Sequence, residues 1–146
     1  MTTIALKDSV LAADSYATDE TCAIQVAKCV RLPGGDVAGG AGDVGEVSQA
    51  LAWLAAGGKG EPPDISSSGI LFTDKGVSYL ASTKWPGVRV KGFAAIGSGS
   101  QGAMVAMKLG KSAEDAVRAV IGVDPCTGGE IDVLPVGKPR APRKRK

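Results

Sequence analysis

Thr2 opens the part of the chain that can do chemistry. Met1 precedes a small residue, so its removal by methionine aminopeptidase is expected, leaving Thr2 as the mature terminus. A terminal threonine carries a nucleophile and a base on one skeleton. Its hydroxyl can attack a carbonyl, and its α-amine, with an ordinary pKa near ~8, can take the hydroxyl proton directly or through a water. Most chains that begin this way use the residue only to start a strand. Lys28 is the second reactive group. It interrupts the apolar run 24–32 between Ala27 and Cys29, and a lysine there is costly to bury unless a carboxylate pairs with it. Asp14 closes an apolar segment and is either a turn former or a site residue. The run Val37-Ala38-Gly39-Gly40-Ala41-Gly42-Asp43 lets backbone N–H groups approach a ligand closely, or simply packs a strand against a helix.

Composition removes several alternatives. There is no histidine among the 146 residues, which excludes Ser-His-Asp triads, Cys-His dyads and the usual zinc sites. Cys22, Cys29 and Cys126 have no metal-type spacing, and their odd number fits reduced thiols and a cytoplasmic location. The N-terminal apolar run is broken by Lys7-Asp8, so neither a signal peptide nor a membrane span is expected. Residues 137–146 hold six of the 17 basic residues and no acid, leaving the body with 11 basic against 15 acidic residues, a net of −4. Nucleic acid is therefore not an expected partner of the body, while the basic tail suits an anionic partner or surface.

The elements that must position these groups can be read from periodicity and turn chemistry. Strands are expected at 2–6 and 9–13 around a Lys7-Asp8 turn, at 24–32, and from Val37 into the glycine run. A helix is expected over 43–56, with Val44, Val47, Leu51 and Leu54 on one face and Asp43 and Glu46 as a capping box. Gly57 to Pro63 excludes a second long helix directly after it. A hairpin follows at 69–81 around Asp74-Lys75-Gly76, then a strand region at 88–96. Helices are expected from Gly97-Ser98-Gly99-Ser100 to about 109 and, capped by Ser112, over 113–123, before a last strand at 131–136. The Gly-Ser run lacks P-loop spacing. Strand pairs with segregated helices predict an α+β fold, two antiparallel sheets with helices outside, in one domain over 1–136, followed by a disordered tail.

Taken in order, five motifs resemble the proteasome-type β subunits, closest in style to HslV, the peptidase of a bacterial ATP-dependent protease. They are Thr-Thr-Ile at the start, Val-Leu-Ala-Ala-Asp-Ser-x-Ala-Thr (10–18), Lys28 with Arg31-Leu32 leading into Val-Ala-Gly-x-x-Gly-Asp (37–43), Ile-Gly-Ser-Gly-Ser (96–100), and Asp-x-x-Thr-Gly-Gly-x-Ile-Asp-Val (124–133). The resemblance spans residues 2–136. It implies a four-layer αββα sandwich and a threonine endopeptidase of the N-terminal-nucleophile class. Thr2 would be the nucleophile and its amine the base. Lys28 would take the place of the catalytic lysine, paired with Asp14. Ser98, Asp124 and Thr127 would hold the terminal amine and hydroxyl. The N–H of Gly39 would serve the oxyanion hole, a donor typically worth ~3 kcal/mol of barrier. Val37 would line the pocket for the residue before the cleaved bond.

Further expectations come with the resemblance. No cofactor is required. Carbonyls of Ile121, Asp124 and Thr127 lie where some relatives bind a cation. Polypeptide substrates, a homo-oligomeric ring and an ATPase unfoldase are the implied partners. The chain departs from the family pattern in having nothing before Met1 to self-cleave, and in having one helix, over 43–56, where the family has two. Two other readings are compatible with the motifs: an inactive shell or assembly subunit, and a small-amide hydrolase on the same fold.

Overall fold

Residues 2–18 and 22–137 are described in a computed structural model of the chain. β1 (Thr3–Lys7) and β2 (Val10–Ala13) form a hairpin with Lys7 opposite Val10. Asp8 and Ser9 both adopt left-handed φ, 52° and 61°, which matches a two-residue turn to the twist of its strands. The turn therefore lies one residue later than expected, because Lys7 stays in the ladder. β10 (Ala94–Gly97) and β11 (Asp132–Pro135) complete an antiparallel sheet of order β10-β1-β2-β11.

A second antiparallel sheet runs β5-β6-β7-β8-β9: Cys29–Arg31, Val37–Gly42, Ser68–Asp74, Val77–Ser82 and Val88–Arg89. Side chains alternate across the first hairpin. Ile4, Leu6, Leu11 and Ala13 pack against Val37 and Leu71 of the second sheet. Ala5 and Ala12 face the other way, toward Ala103, Met107, Ala116 and Val117 of α2 (Ser100–Lys108) and α3 (Ala113–Val120). Each fully buried Leu or Ile contributes roughly 1.5–3 kcal/mol. On the outer face of the second sheet, Ala50 and Leu51 of α1 (Val44–Ala55) pack on Ile70, Ala81 and Ala38. The result is the αββα layering expected, with α1 alone on its side among the described residues. No helix among them is long and apolar enough to cross a membrane.

Two expected strands are broken. Segment 24–32 divides into β4 (Ala23–Gln25) and β5. β4, which is exposed, pairs with β3 (Tyr16–Thr18) in a separate two-stranded ribbon, and the intervening residues bend so that the Lys28 ammonium reaches the Tyr16 carbonyl and Asp14. Segment 88–96 divides into β9 and β10, which belong to different sheets. α3 ends at Val120, short of the expected 123. Asp43 caps α1 by accepting the Glu46 N–H, but Glu46 does not return the bond. Its carboxylate accepts the Ser67 N–H and the Ser68 hydroxyl instead, each at 2.9 Å. Gly137 belongs to the body, its N–H bonded to the Gly35 carbonyl, and the rest of the basic tail lies outside the described residues, as does Met1.

Candidate active site

The end of β2 delivers Asp14 into a fully buried position. A bare carboxylate there would be costly, and every direction around it supplies a donor. Its oxygens accept the Thr3 N–H at 3.0 Å and the Gly128 N–H at 3.1 Å. The Lys28 ammonium lies 3.0 and 3.1 Å from the two oxygens and also donates to the Tyr16 carbonyl. Lys28 itself is buried, so the cost foreseen from sequence is met by an ion pair.

A second polar chain begins at Thr3. Its Oγ1 lies 2.7 Å from Thr127 Oγ1, which donates to Asp124 Oδ2 at 2.6 Å. The Ser98 hydroxyl donates to the same Asp124 oxygen at 2.5 Å, and its oxygen stands 3.5 Å from the Thr2 carbonyl. The bonds from Ser98 and Thr127 hold the Asp124 carboxyl below the usual carboxylate range. Close approach at this corner depends on glycine. A Cβ at Gly97 would overlap the Thr2 carbonyl, and one at Gly99 would overlap Thr3 Oγ1 and a methyl of Val120.

Asp14 and Thr127 thus clamp Thr3, and Thr2 projects from the clamp onto two cavities. One, of about 330 Å³, holds Lys28 and is walled by Ile24, Val26, Ala27, Val44 and Val47. The other, of about 600 Å³, lies toward Ser98 and Gly97. Gly42 lines both cavities.

The structure gathers Thr2, Asp14, Lys28, Ser98, Asp124 and Thr127, but two expected site residues lie elsewhere. Val37 is fully buried between the sheets and touches neither cavity. Gly39 also lies away from both. Gly40 donates its N–H to the Lys28 carbonyl, so the amide of Gly39 points the other way, into the ladder opposite Leu71. A Cβ on Gly39 would meet Ile4 and Leu11 of the core. The period of two moves the cavity-facing positions to Gly40 and Gly42. Gly42 shares the amide direction of Gly40 and lies past the end of β5, whose paired residues stop opposite Gly39. Sequence reasoning also missed Thr3 and Gly128 as partners of Asp14. The Thr3 duplication beside Thr2 was the available signal.

Other groups do not compete. Burial, helped by the nearby Asp132, pushes the Cys29 thiol up to about 12, so it is not a thiolate nucleophile. None of the three cysteines is joined in a disulfide among the described residues. Ile121, Asp124 and Thr127 fall in the turn after α3, where the Asp124 carbonyl already accepts the Thr127 N–H. Among the described residues, no three His, Cys, Asp or Glu side chains converge, and no buried side-chain polar atom lacks a partner to mark a cation's place.

Solved structures resemble this arrangement over nearly its whole length. Thiobacillus denitrificans BPH in complex with epoxomicin is 16% identical, with a TM-score of 0.66, covering 94% of this chain and 99% of that one. HslV from Trypanosoma brucei is 17% identical, with a TM-score of 0.61 and coverage of 90% and 96%. The chain has the HslV-like fold. Anbu from Hyphomicrobium, in a Gly-1 mutant, superposes with a TM-score of 0.68 at 13% identity, covering 91% and 80%. No protein-family profile matches the sequence. No curated protein matches it either. At such identities the likeness is one of fold, and the roles of individual residues rest on the geometry around Thr2.

Proposed function

We propose that the protein is a threonine endopeptidase of the N-terminal-nucleophile class. The observation that carries the reading is Thr2, set between two open cavities by a clamp on Thr3, with a buried Lys28–Asp14 pair beside it. Once Met1 is removed, the Thr2 amine accepts the hydroxyl proton and Oγ1 bonds to the substrate carbonyl carbon. The Lys28 charge favours the alkoxide. The N–H of Gly42, rather than that of Gly39, receives the oxyanion. The amine then gives its proton to the departing nitrogen as the C–N bond breaks, leaving an ester that water hydrolyses. The sequence as written uses no cofactor. Unfolded polypeptide is the substrate, a ring of like subunits the working form, and an ATPase unfoldase the partner that supplies ATP use.

Cavities on both sides of Thr2 favour an extended chain over a small amide, and the retained ion pair favours turnover over an inactive shell. The test is the intact mass of the purified protein before and after epoxomicin, the ligand of the BPH structure. An epoxyketone engages both the hydroxyl and the free amine of a terminal threonine. The expected result is loss of Met1 and one adduct per chain, absent in Thr2→Ala. Protein lacking Met1 that neither forms the adduct nor cleaves peptides, alone or with its ATPase, would overturn the reading.

A further inference from the structure

Thr2 is the shared wall of two cavities of different chemistry. The cavity around Lys28 is mainly aliphatic. The one toward Ser98 carries a run of hydroxyls beside Ala41, Ala95 and Ile96, and no ionisable side chain among the described residues of its wall. Part of that wall is fixed. Ser68 Oγ and the Ser67 N–H are both held by Glu46 of the first turn of α1, Ser66 Oγ is held by Asp64, and the Ser67 carbonyl accepts the Asp43 N–H. Among the described residues, the hydroxyls of Ser67, Ser82, Thr83 and Ser100 have no hydrogen-bond partner. They come from three places: the segment between α1 and β7, the end of β8 with the residue after it, and the start of α2.

We propose that this hydroxyl-walled cavity is a leaving-group subsite that selects an uncharged hydrogen-bonding side chain, Ser, Thr, Asn or Gln, immediately after the cleaved bond. The inference rests on the peptidase reading. Its direction follows from the proton. The departing nitrogen must be protonated as the C–N bond breaks, and the carrier is the amine of Thr2, whose main chain lies toward the hydroxyl cavity, its carbonyl 3.5 Å from the Ser98 hydroxyl of that wall. The nitrogen therefore leaves toward the hydroxyl cavity, and the acyl residue stays over the aliphatic one. A charged side chain would enter a wall that offers no counter-charge, and an aliphatic one would strip water from hydroxyls without replacing it. A neutral polar side chain satisfies both.

The experiment uses the Met1-free protein and quenched peptides with Leu fixed before the cleaved bond and Ser, Asn, Gln, Leu, Asp or Lys after it. A Leu-aminocoumarin peptide, which has no residue after the bond, is the reference. One or two hydrogen bonds predict a kcat/KM about three- to tenfold higher for Ser, Asn and Gln than for Leu, Asp or Lys. The double variant Ser67→Ala/Ser82→Val reduces that ratio below about twofold and leaves the rate of epoxomicin adduct formation, which expels no amine, unchanged. Ser100→Ala, a single change on α2, gives a partial loss of preference should the double variant not fold. Equal kcat/KM across the series, or a preference that neither variant alters, overturns the subsite while aminocoumarin release and the epoxomicin adduct still stand for the peptidase. Failure of both the reference substrate and the adduct removes the peptidase reading, and the subsite with it.

Discussion

Lys28→Met isolates the charge at the centre of the site, because methionine keeps the length and apolar stem of lysine. It leaves the Asp14 carboxylate fully buried with two of its donors, the Thr3 and Gly128 amides, and no cation. Removing one partner of a buried pair costs about 3–5 kcal/mol. The two remaining charge-assisted bonds place this case at the low end, about 3 kcal/mol. For a chain of this size each kcal/mol moves Tm by about 3 °C, so Tm should fall by about 9 °C. Asp14→Asn takes the carboxylate from the buried ammonium of Lys28, which keeps its bond to the Tyr16 carbonyl, and should cost a similar amount. The double variant removes both charges and should cost well under the sum, a coupling of about 2–3 kcal/mol. Denaturant titration of all four proteins measures this, at one protein concentration so that assembly does not shift the midpoints. All three variants should also lose the epoxomicin adduct. Additive costs, with coupling below about 0.5 kcal/mol, would refute the view that the pair is a single buried unit.

Two further outcomes follow from the same geometry. Gly99→Ala drives a methyl into Thr3 Oγ1 and Val120, and Val120 belongs to the packed α3 face. It should lower Tm by several degrees, about 1–3 kcal/mol as overpacking usually costs, and slow adduct formation by displacing the clamp on Thr3. An unchanged adduct rate in folded Gly99→Ala would show that Thr3 does not position Thr2. Asp36 titrates below its ordinary range: burial pushes it up, but bonds from the Gly76 amide, the Thr73 hydroxyl and the Lys75 amide outweigh that. A lowered folded-state pKa adds stability that is complete above the unfolded value near ~4 and is lost as pH falls through the folded one. Asp36→Asn should therefore flatten the acid limb of a Tm–pH curve below about pH 4 and leave its slope near neutrality alone, and an unaltered acid limb would contradict this.

Much of the candidate site was legible in the sequence as a set of groups to be brought together, because its residues are types that chemistry restricts. A lysine inside an apolar run demands a carboxylate, and without histidine a base must come from elsewhere, as the amine of a terminal threonine can. The hairpins, the Asp43 and Ser112 caps and two antiparallel sheets with helices outside follow from local periodicity and turn chemistry, and the structure has them, the first turn one residue later than expected. What the sequence could not decide was phase. Four small residues, Gly39 to Gly42, all read as places where backbone can meet a ligand. Only the pairing of Gly40 with the Lys28 carbonyl fixes which amides face the edge and which enter the ladder opposite Leu71. A shift of one residue turns a strand over, so that pairing moved the candidate donor from Gly39 to Gly42 and put Val37 into the core. The same holds for the hydroxyl cavity. Its open hydroxyls come from three segments, at 67, 82–83 and 100, and no local pattern joins them. Residue type set what chemistry the chain can do, and long-range pairing set where each group points.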